Sequence, residues 1–218
     1  MPRKKLQRFE EIKAADNVLE KGKELYSTIK GNWRSVYFKN NNPIHLEIAC
    51  GQGEYTVGLA RIYPAINFIG IDLKGERIAR GSKIALEENL VNVAFVRTPV
   101  RFIEEFFEDG EVDNIWIIHP DPRPLERWEK MRLTYAAFLK IYYKLLSSNG
   151  LIRLKTDDEP LFDYSIDSIN QNGFKIFEQS KDLYKSVLNE EHHGIETFYE
   201  KKFTAMGRKI NYLKAIKI

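Results

Sequence analysis

The chain has 218 residues, 34 Lys plus Arg against 31 Asp plus Glu, a net charge of +3, and a content of 43% hydrophobic and 12% aromatic residues. That composition excludes a disordered chain, a collagen-like repeat and a coiled coil, and the length suits one sizeable core. No apolar run approaches the ~18 residues of a membrane helix, residues 1–8 are basic with no apolar stretch behind them, and one cysteine builds no disulfide framework. The expectation is a cytoplasmic protein without a secretory signal or a membrane partner.

Residues 1–43 read as a basic arm and helical extension. Residues 1–50 hold 10 basic and 6 acidic side chains, whereas 51–218 hold 24 and 25. Such a leading segment is either a solvated tail or an arm that finds a polyanion such as RNA. From residue 44 short apolar runs alternate with amphipathic stretches. Strands are expected at 44–49, 67–73, 93–97, 112–119, 150–156, 174–179 and 210–216. Helices are expected at 54–63, 76–88, 102–107, 133–146 and 160–171, and 181–205 reads as a long insertion. This alternation predicts an α/β domain over 44–218, a mostly parallel sheet with helices on both faces.

The first strand ends in Leu46-Glu-Ile-Ala-Cys-Gly-Gln-Gly-Glu54 and the second in Phe68-Ile-Gly-Ile-Asp-Leu73. Gly51 and Gly53 fall in the first strand-to-helix turn, where small residues let a ligand approach the backbone. Asp72 follows Gly53 by about the spacing that suits a carboxylate reaching ribose hydroxyls. A dinucleotide site wants a third glycine, and Tyr55 and Thr56 stand there instead. Glu47 would repel a pyrophosphate but would welcome a cationic ligand with an ammonium and a sulfonium. S-adenosylmethionine is such a ligand.

Ile115-Trp-Ile-Ile-His-Pro-Asp-Pro-Arg-Pro124 is the most unusual stretch. Three prolines make the loop stiff and hold Asp121 at the ligand-binding edge of the sheet. Asp157 ends the fifth strand on the same edge, while Asp158 and Glu159 suit the cap of the next helix. His119 either touches ligand or packs as a neutral ring. Cys50 reads as a small filler, and the adjacent His192 and His193 as surface residues.

Several ordered motifs together resemble the bacterial tRNA (guanine-N7-)-methyltransferases. They are Glu47-Ile-Ala-Cys-Gly-Gln-Gly53, Phe68-Ile-Gly-Ile-Asp72, Pro120-Asp-Pro-Arg-Pro124, Arg132-Leu-Thr134, Leu154-Lys-Thr-Asp157 and Thr197-Phe-Tyr-Glu-Lys-Lys-Phe203. The resemblance implies a class I S-adenosylmethionine-dependent methyltransferase fold, Rossmann-like, with a seven-stranded sheet and an antiparallel last strand. It implies methylation of a guanine in the tRNA variable loop, usually that at position 46, by a monomer or homodimer. By motif, Glu47, Gly51, Gly53, Asp72 and Asp121 would serve the cofactor. Asp121 would sit at the catalytic junction, and Asp157, Thr197, Tyr199 and Glu200 on the guanine side. Ala49, Arg123 and Leu125 replace the family's usual Gly, Trp and Lys, and Arg97-Thr-Pro-Val100 lacks the acidic or amide residue that would help hold the cofactor there.

Guanine N7 has a free lone pair and needs no base, so the expected task is orientation and charge stabilisation. A carboxylate can accept from guanine N1–H and N2–H together, as in the reading of flipped bases. Phosphates would fall to Arg3, Lys4, Lys5, Arg8, Arg123, Arg127, Lys130 and Arg132. Two rival readings remain: methylation of an exocyclic nitrogen, which lacks its second consecutive proline here, and a non-catalytic RNA-binding module.

Overall fold

The structure is a computed structural model that describes residues 2–218, with side chains from Lys5 onward. Expectations for Arg3 and Lys4 therefore lie outside the described residues. Helix α1 (Pro2–Ala14) leads into a two-residue strand, β1 (Val18–Leu19). Then follow β2 (Ile44–Ile48), α2 (Glu54–Ile62), β3 (Asn67–Asp72), α3 (Gly75–Glu87) and β4 (Val93–Arg97). The second half holds β5 (Val112–Ile118), α4 (Ala136–Leu145), β6 (Leu146–Thr156), α5 (Glu159–Gln171), β7 (Phe174–Ser180), α6 (Phe198–Ala205) and β8 (Asn211–Lys217).

The strands form one sheet in the order β1-β4-β3-β2-β5-β6-β8-β7. Strand β8 runs antiparallel to β6 and β7, and the pairings among β1 to β6 are parallel. The expected seven strands with an antiparallel last one are all present, and β1 adds a short eighth at the edge. Period-2 alternation divides the core between the faces. Ile115 and Ile117 of β5 face Leu139, Tyr142, Phe162 and Ile169 of α4 and α5. Trp116 and Ile118 face the side of α1, α2 and α3, with Tyr55, Leu59 and Ile78.

Four segments differ from their sequence reading. Strand β6 starts at Leu146, four residues before the expected Gly150, because Leu146 pairs with Val112 across a register shift. Strand β1 is too short to leave a periodic pattern. The leading extension is joined to the domain's core: Ile29, Trp33 and Phe38 enter the main cluster, and Trp33 Nε1 donates to Phe106 O at 2.8 Å. The 181–205 segment forms two short 3-10 turns and α6, and it covers the face of β6 that carries Arg153 and Lys155.

Helix α1 docks on α3: a Cβ at Gly75 would fall 2.5 Å from Ile12 and 3.0 Å from Phe9. Its carboxyl end is closed by Lys23, whose ammonium donates to Ile12 O (2.9 Å), Ala15 O (2.5 Å) and Val18 O (2.7 Å). A cation there satisfies orphan carbonyls and the helix dipole together. Lys23→Met should lower the unfolding free energy by about 1–3 kcal/mol in urea denaturation. An unchanged midpoint would show that α1 docks through Phe9 and Ile12 alone.

Candidate active site

The carboxyl ends of β2, β3, β5 and β6 open into a cleft of about 440 Å³, lined by Asp72, Arg77, His119, Asp121, Asp157 and Tyr199 among others. A smaller compartment of about 90 Å³ adjoins it, lined by Glu47, Gly51, Gln52, Glu54, Thr197 and Phe198. Ala49, Arg77, His119 and Tyr199 border both. Open α/β sheets bind ligands at this edge because strand ends and helix starts leave backbone groups free there.

Glu47 points to the α2 face of β2 and is buried. Its Oε2 accepts the Thr56 backbone N–H at 2.7 Å and the Thr56 hydroxyl, and Oε1 accepts from no protein group among the described residues. Burial pushes this carboxyl up to about 8, against the two bonds from Thr56 and with help from nearby Glu54 and Asp72. Once ionised, a buried carboxylate with one oxygen free of protein donors is what an ammonium would complete.

Asp72 spans two loops: Oδ2 accepts Gly51 N–H at 2.9 Å and Oδ1 accepts Lys74 N–H at 2.7 Å. The two glycines of the first loop do different work. Gly53, at φ 72°, packs inward, and a Cβ there would meet Phe95 at 2.8 Å. A Cβ on Gly51 would stand in open space, so only its φ of 57° favours glycine. Ala49 adopts φ 57° without being glycine, a strain of about 1–2 kcal/mol. The replacement for the family's usual Gly thus keeps the loop's shape at a cost.

Asp121 is exposed and turns back on its own loop, accepting Arg123 N–H at 3.4 Å and lying 3.2 Å from the Arg123 guanidinium. Arg123 itself sits at φ 51°. Asp157 is half-buried, with Oδ1 3.2 Å from His119 Nδ1 and Oδ2 accepting from Arg208 at 2.8 Å. Burial alone would raise the Asp157 carboxyl; the bonds from His119 and Arg208 outweigh it and hold the group below its ordinary value. Asp158 caps α5 through Leu161 N–H at 2.8 Å, as its position suggested.

The Thr197 motif splits in two. Tyr199 is exposed and borders both compartments, with Phe198 and Phe203 beside it in edge and stacked contact. Thr197 and Glu200 form the capping box of α6: Thr197 Oγ1 accepts Glu200 N–H at 3.1 Å, and Glu200 accepts Thr197 N–H at 3.4 Å. Glu200, expected on the guanine side, is instead fully buried behind His119. Its Oε1 lies 2.5 Å from Lys155 Nζ and accepts from Tyr184 at 2.7 Å. Lys155 also donates to Tyr55 Oη at 2.6 Å, and Tyr55 meets His192 Nδ1 at 2.8 Å.

His192 is therefore buried, not the surface residue expected, and burial pushes it down to about 2. Cys50 is a buried free thiol, and no group of metal-ligating side chains occurs among the described residues. Arg77, Lys155 and Arg208 escaped the sequence reading. Lys155 lay in view inside Leu154-Lys-Thr-Asp157, whereas nothing local marks Arg77 or Arg208.

Residues 41–213 match a family model described as putative methyltransferase. A tRNA (guanine-N(7)-)-methyltransferase of Cytophaga hutchinsonii is 45% identical over 98% of this chain and 97% of its own. One from Christiangramia forsetii is 43% identical over 96% of each. The chain belongs to the tRNA (guanine-N7-)-methyltransferase family. Among solved structures, the 16S rRNA methyltransferase KamB superposes with a TM-score of 0.66 at 12% identity, over 91% of this chain and 95% of that one. An antibiotic-related methyltransferase superposes with a TM-score of 0.64 at 19% identity, over 84% and 92%. These likenesses establish the methyltransferase fold.

Within that family fold, Glu47 gives the free protein a distinct pH signature. The unfolded carboxyl ionises near 4.5 and the folded one near 8, so folding takes up a proton between these values. This group's contribution to stability should fall as pH rises through that window. Glu47→Gln should flatten that part of the stability profile in urea titrations at stepped pH. A variant that keeps the full wild-type slope would contradict the burial of this carboxyl.

Proposed function

We propose that this chain transfers a methyl group from S-adenosylmethionine to N7 of a guanine in tRNA, at position 46 of the variable loop. The observation that carries the reading is that Asp72, Asp121 and Asp157 line one cleft at the carboxyl edge of the sheet and Glu47 lines the compartment that adjoins it. The donor set suits the cofactor: Glu47 Oε1 is free for its ammonium, Asp72 faces the cleft for a ribose, and Gly51 leaves open space. The bound cofactor supplies an electrophilic methyl on a sulfonium.

The protein's residues then have to orient and to balance charge. Asp157, held ionised, can accept both N1–H and N2–H of a guanine edge, since each oxygen keeps a second lone pair. Asp121 stands at the cleft mouth, where its charge would offset the positive charge that moves onto guanine. Tyr199 offers a face on which a base can stack. No residue need remove a proton, because N7 carries none. Among the described residues no helix is long and apolar enough to cross a membrane. The reading takes tRNA as partner and the cytoplasm as location, with a monomer or homodimer as the working unit.

Incubating the protein with S-adenosylmethionine and tRNA that lacks the modification should produce 7-methylguanosine on nucleoside analysis. A methylated exocyclic nitrogen, or no product, would reject the assignment. In single-turnover assays Asp121→Asn should lower the rate constant by about tenfold or more while tRNA affinity changes less. An unchanged rate would leave Asp121 as a loop-forming residue.

The basic leading segment is a docked helix, in which Lys5 pairs with Glu76 at 3.7 Å and Arg8 reaches Glu76 O at 3.4 Å. Deleting residues 2–8 spares Phe9 and Ile12. It should weaken tRNA binding and flatten its log–log salt dependence by roughly 0.7–0.9 for each phosphate that the arm no longer neutralises. Superimposable slopes for the two proteins would remove the arm from the interface.

A further inference from the structure

The sequence leaves the role of His119 open, and the structure gives it an unusual setting. It directly follows β5 at φ 45°, a left-handed conformation, immediately before Pro120, where an extended backbone is the norm. Its backbone N–H donates to Lys155 O at 2.8 Å and ties the ends of β5 and β6. The side chain is only 4% exposed. Nδ1 makes a hydrogen-bond contact with Asp157 Oδ1 at 3.2 Å, and the buried Nε2, which makes no hydrogen bond, lies 3.4 Å from Glu200 Oε2 in an ion-pair contact. A neutral imidazole has one donor and one acceptor, so a ring with a carboxylate at each nitrogen calls for both nitrogens to donate. Strain of this kind persists only where the surroundings over-determine it, and it concentrates at functional sites.

We propose that His119 is a positioning residue for the guanine: it clasps Asp157 from one side and Glu200 from the other, fixing the base-reading carboxylate to α6 and its Tyr199. The inference rests on the reading of Asp157 as the group that meets the guanine edge. Asp157 is the only one of the two carboxylates that borders the cleft; Glu200 anchors the ring from behind through Lys155. The charged groups facing His119 are Asp157 and Lys155 of β6, Glu200 of α6, Arg208 beyond it, Glu47 of β2 and Arg77 of α3. Asp121 follows on its own loop. Burial and Lys155 work against a proton on the ring, and the carboxylates of Asp157 and Glu200 prevail, so its titration lies above the ordinary 6.5.

The consequence is a pH dependence with a defined sign. While the ring is charged, Asp157 is oriented and stays ionised. When the ring loses its proton, one donor is left between two carboxylates, and for part of the time Asp157 is held by Arg208 alone.

The test uses the full chain without cofactor and measures affinity for tRNA lacking the modification across the titration of His119, itself followed by NMR. Affinity should fall by roughly tenfold as the ring deprotonates, the size of one charge-assisted hydrogen bond. His119→Gln, which keeps one donor but no charge, should bind at an intermediate level and lose the pH dependence. His119→Gln should therefore match wild type at high pH, and His119→Phe, with no donor, should bind more weakly than either. A flat wild-type profile would overturn the proposal even if the phenylalanine variant does not fold. So would a slope that persists in His119→Gln, since that assigns the titration to Glu47. A wild type that methylates tRNA normally beside such a result would leave the proposed function intact and remove only the clasp. A wild type that yields no 7-methylguanosine would remove the function itself.

Discussion

One buried carboxylate constrains the whole site. Glu47 lies on a central strand, on the face packed against α2, and its only protein partners among the described residues are the backbone and hydroxyl of Thr56 in the first turn of that helix. An acidic group in such a place weakens the free protein unless it takes a proton, and it would bind a cation tightly. The first loop turns at Gly51 and Gly53 beside that carboxylate, and Asp72 across from it holds the turn through Gly51 N–H.

The second half of the cleft is built on compensation. Alternation along β6 sends Ile152 and Leu154 into the main core and Arg153 and Lys155 to the opposite face. The half-buried Arg153 and the fully buried Lys155 there demand counter-charges. The segment before β8 provides them: Glu191 pairs with Arg153, and Glu200 with Lys155. Breaking one partner of such a pair leaves an uncompensated buried charge, which costs far more than the pair contributes. The segment is thereby fixed over the sheet, and the same fixing brings Tyr199 and the Thr197 cap to the cleft.

Much of this was legible in the sequence. The strand and helix alternation from residue 44 placed every element of the parallel half, because buried strands and amphipathic helices leave different periodicities. Glu47 was visible inside an apolar run and Asp72, Asp121 and Asp157 at or just past the ends of others; the three aspartates line one cleft and Glu47 the compartment beside it. What stayed hidden depends on distant partners. Glu200 reads as a motif residue facing substrate, yet its neighbours are Lys155, 45 positions earlier by number, and His119. His192 looks like a surface residue beside His193 until Tyr55 and Tyr212 close over it. Val18 and Leu19 form a strand only because β4 offers an edge.

The central claim is that this cleft holds its buried carboxylate ready for a cationic cofactor. At neutral pH the folded Glu47, raised to about 8, is mostly protonated, so a bound cation must expel that proton. Calorimetric titration of S-adenosylmethionine in buffers of different ionisation enthalpy measures this directly. The account predicts release of about one proton per cofactor by the wild type and a loss of that release in Glu47→Gln. Binding with no buffer dependence, or an equal release from the variant, would contradict it.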